Sequence, residues 1–169
     1  TLIRYGTPAQ QETWLPRIRA GEIHFSLCYS EPEAGSDLAS LRVRADKNGD
    51  GSHYLLNGQK CWQSYAQDMD YLWVLARTGS QDSRGRGLSL FICDKHAAGV
   101  TVAPLPTLDG DQLNEVYFDK VKVPLAQRVG DKDEIKFNSQ TDEAAPAVFK
   151  KVAETVNKPL GTITINPRG

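Results

Sequence analysis

Two short stretches of this chain carry side chains of the types, and at the spacing, that could hold an anionic or planar ligand. The first is Leu27-Cys28-Tyr29-Ser30-Glu31-Pro32-Glu33-Ala34-Gly35-Ser36-Asp37, an apolar run that ends in a sharp polar turn. Pro32 fixes its own φ and keeps Glu31 out of the helical region, so an extended segment must stop there. Gly35 has no Cβ, and the backbone at that point can come close to a neighbour or a ligand. Ser30 and Ser36 offer hydroxyls, and the amides around Gly35 and Ser36 can converge on an anion as turn nests do. An ordinary strand-ending turn uses the same residue types, so this stretch alone does not choose between the two readings. The second stretch is Lys60-Cys61-Trp62-Gln63-Ser64. Trp62 supplies a large flat apolar surface at a strand end, and Ser64, two residues on, puts a hydroxyl on the same face. A core tryptophan beside an exposed serine is the plainer account of it. Taken together, Ser30, Ser36 and Ser64 could line a slot for a planar polar ring.

Other candidate motifs are weaker. Asp46-Lys47-Asn48-Gly49-Asp50-Gly51 copies the first half of a calcium-binding loop, but the position that should close it with a bidentate acid is Asn57, and strand-like segments flank it. A solvated hairpin turn explains those residues better. His24, His53 and His96 have no partner at metal-ligand spacing. Arg84-Gly85-Arg86-Gly87 has neither a Walker lysine pattern nor a dinucleotide fingerprint around it and reads as a hairpin tip.

The elements that must position these residues follow from periodicity. Thr7-Pro8-Ala9-Gln10 opens a helix with a capping box; Trp14, Leu15 and Ile18 lie along one side, Pro16 is expected to interrupt it, and Gly21 ends it. Strand-like runs follow at Ile23–Tyr29, Leu41–Ala45 and Tyr54–Leu56, with Asn57-Gly58 as a hairpin signal leading into Lys60–Trp62. Tyr71–Ala76 reads as a strand buried on both sides, and Leu88–Ile92, Val100–Val102 and Glu115–Phe118, extended by Val121–Val123, supply the rest. The fold class is mainly β: an antiparallel barrel or sandwich of about eight strands, with a short N-terminal helix and a candidate C-terminal helix at Pro146–Val156. Residues 1–130 form the β domain. Residues 131–169 read as a polar linker and short tail, in which Thr162–Ile165 could add one strand.

Composition bounds the partners. Across 169 residues, 20 Lys and Arg face 21 Asp and Glu, which argues against a nucleic-acid or membrane-surface role, and no apolar run is long enough to span a bilayer. Cys28, Cys61 and Cys93 are an odd count, each in an apolar run, as reduced buried cysteines of a cytoplasmic protein would be. A start at Thr1 reads as a processed or excised chain.

In combination these motifs resemble the middle, β-barrel domain of the acyl-CoA dehydrogenase flavoenzymes. The matching residues are Thr7-Pro8-Ala9-Gln10-Gln11, Leu15-Pro16 before Gly21-Glu22, Ser30 through Asp37, Asn57-Gly58-Gln59-Lys60-Cys61-Trp62, Leu75-Ala76-Arg77-Thr78, Glu115-Val116 to Phe118, Val121-Lys122-Val123-Pro124 and Arg128-Val129-Gly130. The resemblance implies FAD as cofactor. It implies that Leu27, Tyr29, Ser30, Gly35 and Ser36 wrap the flavin, with Tyr29 and Ser30 beside the ring edge and Ser36 near both pyrophosphate and acyl-CoA. Trp62 would pack on the ring and Ser64 hydrogen-bond near its reactive nitrogen, tuning the cofactor. Two departures stand out: Glu33 occupies a position where the family commonly has a small residue, and Ser64 replaces a commoner threonine. The implied reaction is α,β-dehydrogenation of an acyl-CoA thioester. Its carboxylate base belongs to a C-terminal helical domain that this chain, by length and pattern, does not contain, so no catalytic residue is assigned here and Glu31 is not put forward as the base. The implied partners are the acyl-CoA, N- and C-terminal helical domains of the same enzyme, and further copies in a homo-oligomer. The isolated chain is expected to be inactive. The alternatives are a non-catalytic acyl-CoA-binding or protein-interaction β module and, on Asp46–Gly51 alone, a calcium-binding domain.

Overall fold

In a computed structural model, residues 1–108, 110 and 112–130 are described. The candidate helix at Pro146–Val156 and strand at Thr162–Ile165 lie outside the described residues. After a single turn, α1 (Leu2–Tyr5), comes α2 (Pro8–Arg19). Its capping box forms as the sequence demands: the Gln10 amide donates to the Thr7 hydroxyl at 3.2 Å, and the Thr7 amide donates to Gln10 Oε1 at 3.1 Å. Pro16, expected to interrupt the helix, lies inside it. The local cost of an interior proline, about 3 kcal/mol, is outweighed by tertiary anchoring. Gln10 Nε2 donates to the carbonyls of Ala126 (2.7 Å) and Arg128 (2.9 Å), and Trp14 packs edge-on against Tyr71 and Phe25.

Eight strands follow: β1 (Phe25–Cys28), β2 (Arg44–Lys47), β3 (His53–Ser64), β4 (Tyr71–Arg77), β5 (Leu88–Asp94), β6 (Val100–Leu105), β7 (Leu113–Pro124) and β8 (Arg128–Val129). They form one sheet in the order β6-β7-β3-β2-β4-β5-β8, with β1 added to β4. The mainly-β expectation holds, with two differences. The sheet is not closed into a barrel, and it is mixed: β1 runs parallel to β4, pairing Phe25 with Tyr71 through Cys28 with Val74, and β2 meets β4 in parallel at Arg44 and Arg77. The chain between β1 and β2, residues 29–43, is long enough to cross over and return in the same direction, which local alternation cannot reveal.

Strands β4 and β5 are buried on both faces. Leu72, Val74, Phe91 and Cys93 point into one core with Tyr54, Leu56, Val116 and Val121; Trp73, Leu75, Leu90 and Ile92 point into a second with Leu2, Trp14 and Ile23 of the N-terminal segment. That explains their uninterrupted apolar character.

The Asn57-Gly58 hairpin expectation is overturned. The chain runs straight through as β3, and where its register with β7 slips between Leu56 and Gly58 the extra residue lies on β7, between Phe118 and Val121, with Lys120 at φ +50°. Gly58 has φ +130°, and a Cβ there would come within 3.0–3.1 Å of Val43 atoms. Asn57 Oδ1 accepts a hydrogen bond from the Lys120 amide at 2.9 Å. Glycine is needed for a close approach, not for a turn. The hairpin sits instead at Asn48–Gly51, joining β2 to β3. There Asp50 accepts from Asn48 Nδ2 and the Ser52 amide, and Asp46 pairs with Arg44 at 2.7 Å. Hydrogen bonds from Ser52, then Asn48, hold the Asp50 carboxyl down to about 2. Among the described residues no three metal-ligating side chains converge, and the oxygens of this loop are engaged in its own turn.

Candidate functional site

The fold brings the two singled-out stretches together at one end of the sheet. The Ser30 carbonyl accepts from the Cys61 amide (3.0 Å) and from Gln63 Nε2 (3.2 Å); the Tyr29 carbonyl accepts from Lys60 Nζ (2.8 Å). The Ser26 hydroxyl donates to the Ser64 carbonyl at 2.9 Å. Side chains then sort by strand parity. Ser26, Cys28, Cys61 and Gln63 are buried, while Leu27 and Trp62 stay 59% and 57% exposed and Ser64 is exposed beside them.

Trp62 is therefore not the core tryptophan of the plainer reading. It sits in a bulge of β3, where the register with β7 passes from Lys60–Val116 to Gln63–Asn114, and its φ is +68°. A bulky residue in the left-handed region is an outlier that costs about 1–3 kcal/mol and persists only where the surroundings enforce it. Here the enforcement is visible: Cys61 and Gln63 on either side are both tied to Ser30. The effect is to turn the indole outward. Tyr65, at φ +53° and 45% exposed, adds a second ring nearby in sequence.

The polar turn is equally well defined. Glu31 and Ala34 exchange amide–carbonyl hydrogen bonds at 2.9 and 3.1 Å, which leaves Pro32 and Glu33 at an exposed tip. Glu33, the residue least at ease beside an anion, thus faces solvent. Gly35 has no positive φ, and a Cβ built on it would meet nothing within 4 Å. Neither the chain's conformation nor its packing calls for glycine there. Among the described residues the hydroxyls of Ser30, Ser36 and Ser64 and the amides of Gly35 and Ser36 have no hydrogen-bond partner. Tyr29 is half-buried; burial, opposed by a hydrogen bond with Trp73, pushes its phenol up to about 12.

Beneath this surface lie two charged groups that the sequence reading did not single out. Lys60 is 0% and Glu31 6% exposed, and they pair at 2.8 Å. The Glu31 carboxylate also accepts from the Arg42 amide (2.6 Å) and the Val43 amide (2.9 Å). Burial pulls the Lys60 ammonium below its ordinary value, against the opposing pull of Glu31. Arg77, also fully buried, donates to the carbonyls of Ala39, Leu41, Ser80 and Arg84 and so ties the 38–43 segment to the 80–87 turn. Exposed Arg84 reaches Asp37 at 3.0 Å across the same junction. One signal was present: Leu56, Gly58 and Lys60 share strand parity, so Lys60 falls on an inward face where a charge requires a partner.

All three cysteines are free and buried. Burial pushes the thiols of Cys28 and Cys61 above the ordinary range and that of Cys93 up to about 12. No helix among the described residues is long and apolar enough to cross a membrane.

Comparison with known proteins agrees with this geometry. Residues 26–121 match the family described as "Acyl-CoA dehydrogenase, middle domain". Acyl-CoA dehydrogenase FadE26 of Mycobacterium tuberculosis is 43% identical over 136 residues, covering 79% of this chain and 34% of FadE26. The crystal structure of the ChsE4-ChsE5 complex from M. tuberculosis superposes with a TM-score of 0.73 at 38% identity, over 89% of this chain and 36% of that one. The structure of glutaryl-coenzyme A dehydrogenase in its glutaryl-CoA complex superposes with a TM-score of 0.71 at 31% identity, over 78% and 33%. This chain spans about a third of the length of the curated relatives it matches. Members of the family are, in general, flavoproteins. The chain belongs to the acyl-CoA dehydrogenase family, and its described residues carry that family's middle domain.

Proposed function

We propose that the surface formed by Leu27–Ser36 and Trp62–Ser64 is the flavin-facing wall of an FAD-dependent acyl-CoA dehydrogenase. The observation that carries this reading is Trp62: a bulky residue held at φ +68° so that its ring faces out, near the Ser30 and Ser64 hydroxyls, which have no partners among the described residues. The residues present fit the cofactor. An exposed indole and Leu27 offer a flat apolar face to the isoalloxazine, Ser30 and Ser64 offer hydroxyls to its polar edge, and the unbonded Gly35 and Ser36 amides border open space at Gly35 that could admit a pyrophosphate. When bound, the flavin supplies the two-electron acceptor for hydride removal.

This chain's own residues orient and shield. Trp62 and Leu27 cover one face of the ring from water, and Ser64, whose carbonyl is pinned by Ser26, is fixed in direction toward it. Ser36 at the open turn serves the acyl-CoA as well. None of the described carboxylates is assigned as the base. Glu31 is committed to Lys60, Arg42 and Val43 and has no access to a substrate carbon. The base and the other walls of the site belong to helical domains of the whole enzyme, which works as an oligomer. The 131–169 region then serves as a connector. The three reduced, buried thiols support a cytoplasmic location.

The test is a titration of FAD into the 169-residue chain, alone and with the helical domains of a relative supplied, read by the visible flavin spectrum. The reading expects a resolved, red-shifted flavin band with the helical domains present. A spectrum identical to free FAD in both cases would instead favour the non-catalytic binding module.

A further inference from the structure

The Lys60–Glu31 pair is buried beneath the outward surface, and its hydrogen bonds run to the Tyr29 carbonyl at the end of β1 and to the Arg42 and Val43 amides ahead of β2. Lys60 Nζ holds both the Tyr29 carbonyl and Glu31 Oε1, each at 2.8 Å. Glu31 in turn closes the base of the 31–43 loop through the Arg42 and Val43 amides. Lys60 immediately precedes the bulge, and the next amide, Cys61, is bonded to Ser30. The cation therefore fixes, from below, the separation between the Tyr29–Ser30 edge and the bulge that turns Trp62 out. Simple stability does not account for it. A buried ion pair contributes little over an apolar pair of the same volume, whereas its fixed geometry restricts how the segments around it can pack. We propose that Lys60 and Glu31 are positioning residues that set the spacing between the Ser30 hydroxyl and the Trp62 ring, and thereby the affinity and spectrum of the bound flavin. The flavin part of this rests on the function proposed above; the spacing part does not.

The experiment compares the wild-type 169-residue chain with the double variant Lys60→Met/Glu31→Gln, which removes both charges and leaves none buried alone, and with Glu31→Gln by itself. Amide exchange at Cys61, whose N–H donates to Ser30, reads the spacing, and the Leu72–Ala76 amides in the core serve as the reference. FAD titration with helical domains supplied gives the second readout. The double variant is expected to exchange faster at Cys61 by about tenfold or more with the core unchanged, and to weaken FAD by a similar factor, as loss of charge-assisted hydrogen bonds gives. Glu31→Gln keeps the shape but leaves the Lys60 ammonium buried without its counter-charge, so it is expected to move both in the same direction by more, with the core amides reporting that the variant is still folded. Unchanged Cys61 protection in the variants overturns the proposal. Faster Cys61 exchange in a chain whose wild type ignores FAD upholds the latch and sinks the flavin reading instead.

Discussion

The middle of β4–β5 and the end of the sheet where β1 meets β3 are built on opposite rules. In β4–β5 every residue but the outermost is buried, the rings and branched chains sit in favourable extended backbone, and the side chains divide evenly between two cores. At the other end β3 bulges between Lys60 and Gln63, Trp62 is held in the left-handed region, two large apolar side chains face outward, and polar groups lie beneath them. Sequence consistency across local preference, pattern and packing marks the first region as one that holds the fold together. Its violation marks the second as a surface kept for something other than stability.

Mutations break this contrast in order of size. Phe91→Ala in β5, which strips a fully buried ring packed 5.0 Å from Tyr54, is expected to cost about 3–5 kcal/mol of unfolding free energy. Urea denaturation of that variant beside Trp62→Gly should then give opposite outcomes. Glycine at 62 relieves the φ penalty, so stability is expected within about 1 kcal/mol of wild type or above it. A loss at Trp62 as large as that at Phe91 would mean the indole is structural after all.

The two glycines sharpen the same point at a smaller scale. Gly58→Ala meets Val43 at 3.0 Å with φ +130° and is expected to destabilise by about 1–3 kcal/mol, whereas Gly35→Ala meets nothing and is expected to be neutral or stabilising by up to about 1 kcal/mol. Gly35→Ala should nevertheless weaken FAD. A thermal melt that lowers both alike would remove the distinction between a structural and a ligand-facing glycine.

The smallest effect is a pH dependence. The Tyr29 phenol is raised from 10.0 to about 12, so the folded state holds its proton where the unfolded chain would lose it. Its contribution is complete below pH 10 and declines as pH rises through the window up to about 12. Tyr29→Phe is expected to flatten the alkaline fall in stability by on the order of 1 kcal/mol, discounted because the ring is only half-buried. An unchanged slope between those pH values would place the Tyr29 phenol in an ordinary solvated setting.

What was legible in the sequence follows the range of the interactions. The Thr7–Gln10 capping box and the two-faced burial of Tyr71–Ala76 are specified within a few residues, and both appear as read. Pro16 and Asn57-Gly58 carry strong local signals that distant partners override: Ala126, Arg128 and Tyr71 hold the helix through the proline, and close packing of Val43 on Gly58 runs the hairpin signal straight through as strand. The site stretches themselves stood out because Pro32, Gly35 and Trp62 are conspicuous residue types. The pairing of Glu31 with Lys60, 29 positions apart, did not, because nothing local distinguishes a buried carboxylate from a solvated one. The parallel β1–β4 pairing was hidden for the same reason, since alternation fixes which face a residue takes but not which way its neighbour runs.

The central claim is that Trp62 is turned outward to meet the flavin, and it is tested most directly by FAD affinity in Trp62→Gly, measured with helical domains supplied and at matched stability. The expected result is a variant within about 1 kcal/mol of wild-type stability or above it, whose FAD affinity falls about tenfold or more, consistent with ring stacking worth roughly 1–3 kcal/mol. Equal affinity in the two proteins would contradict it.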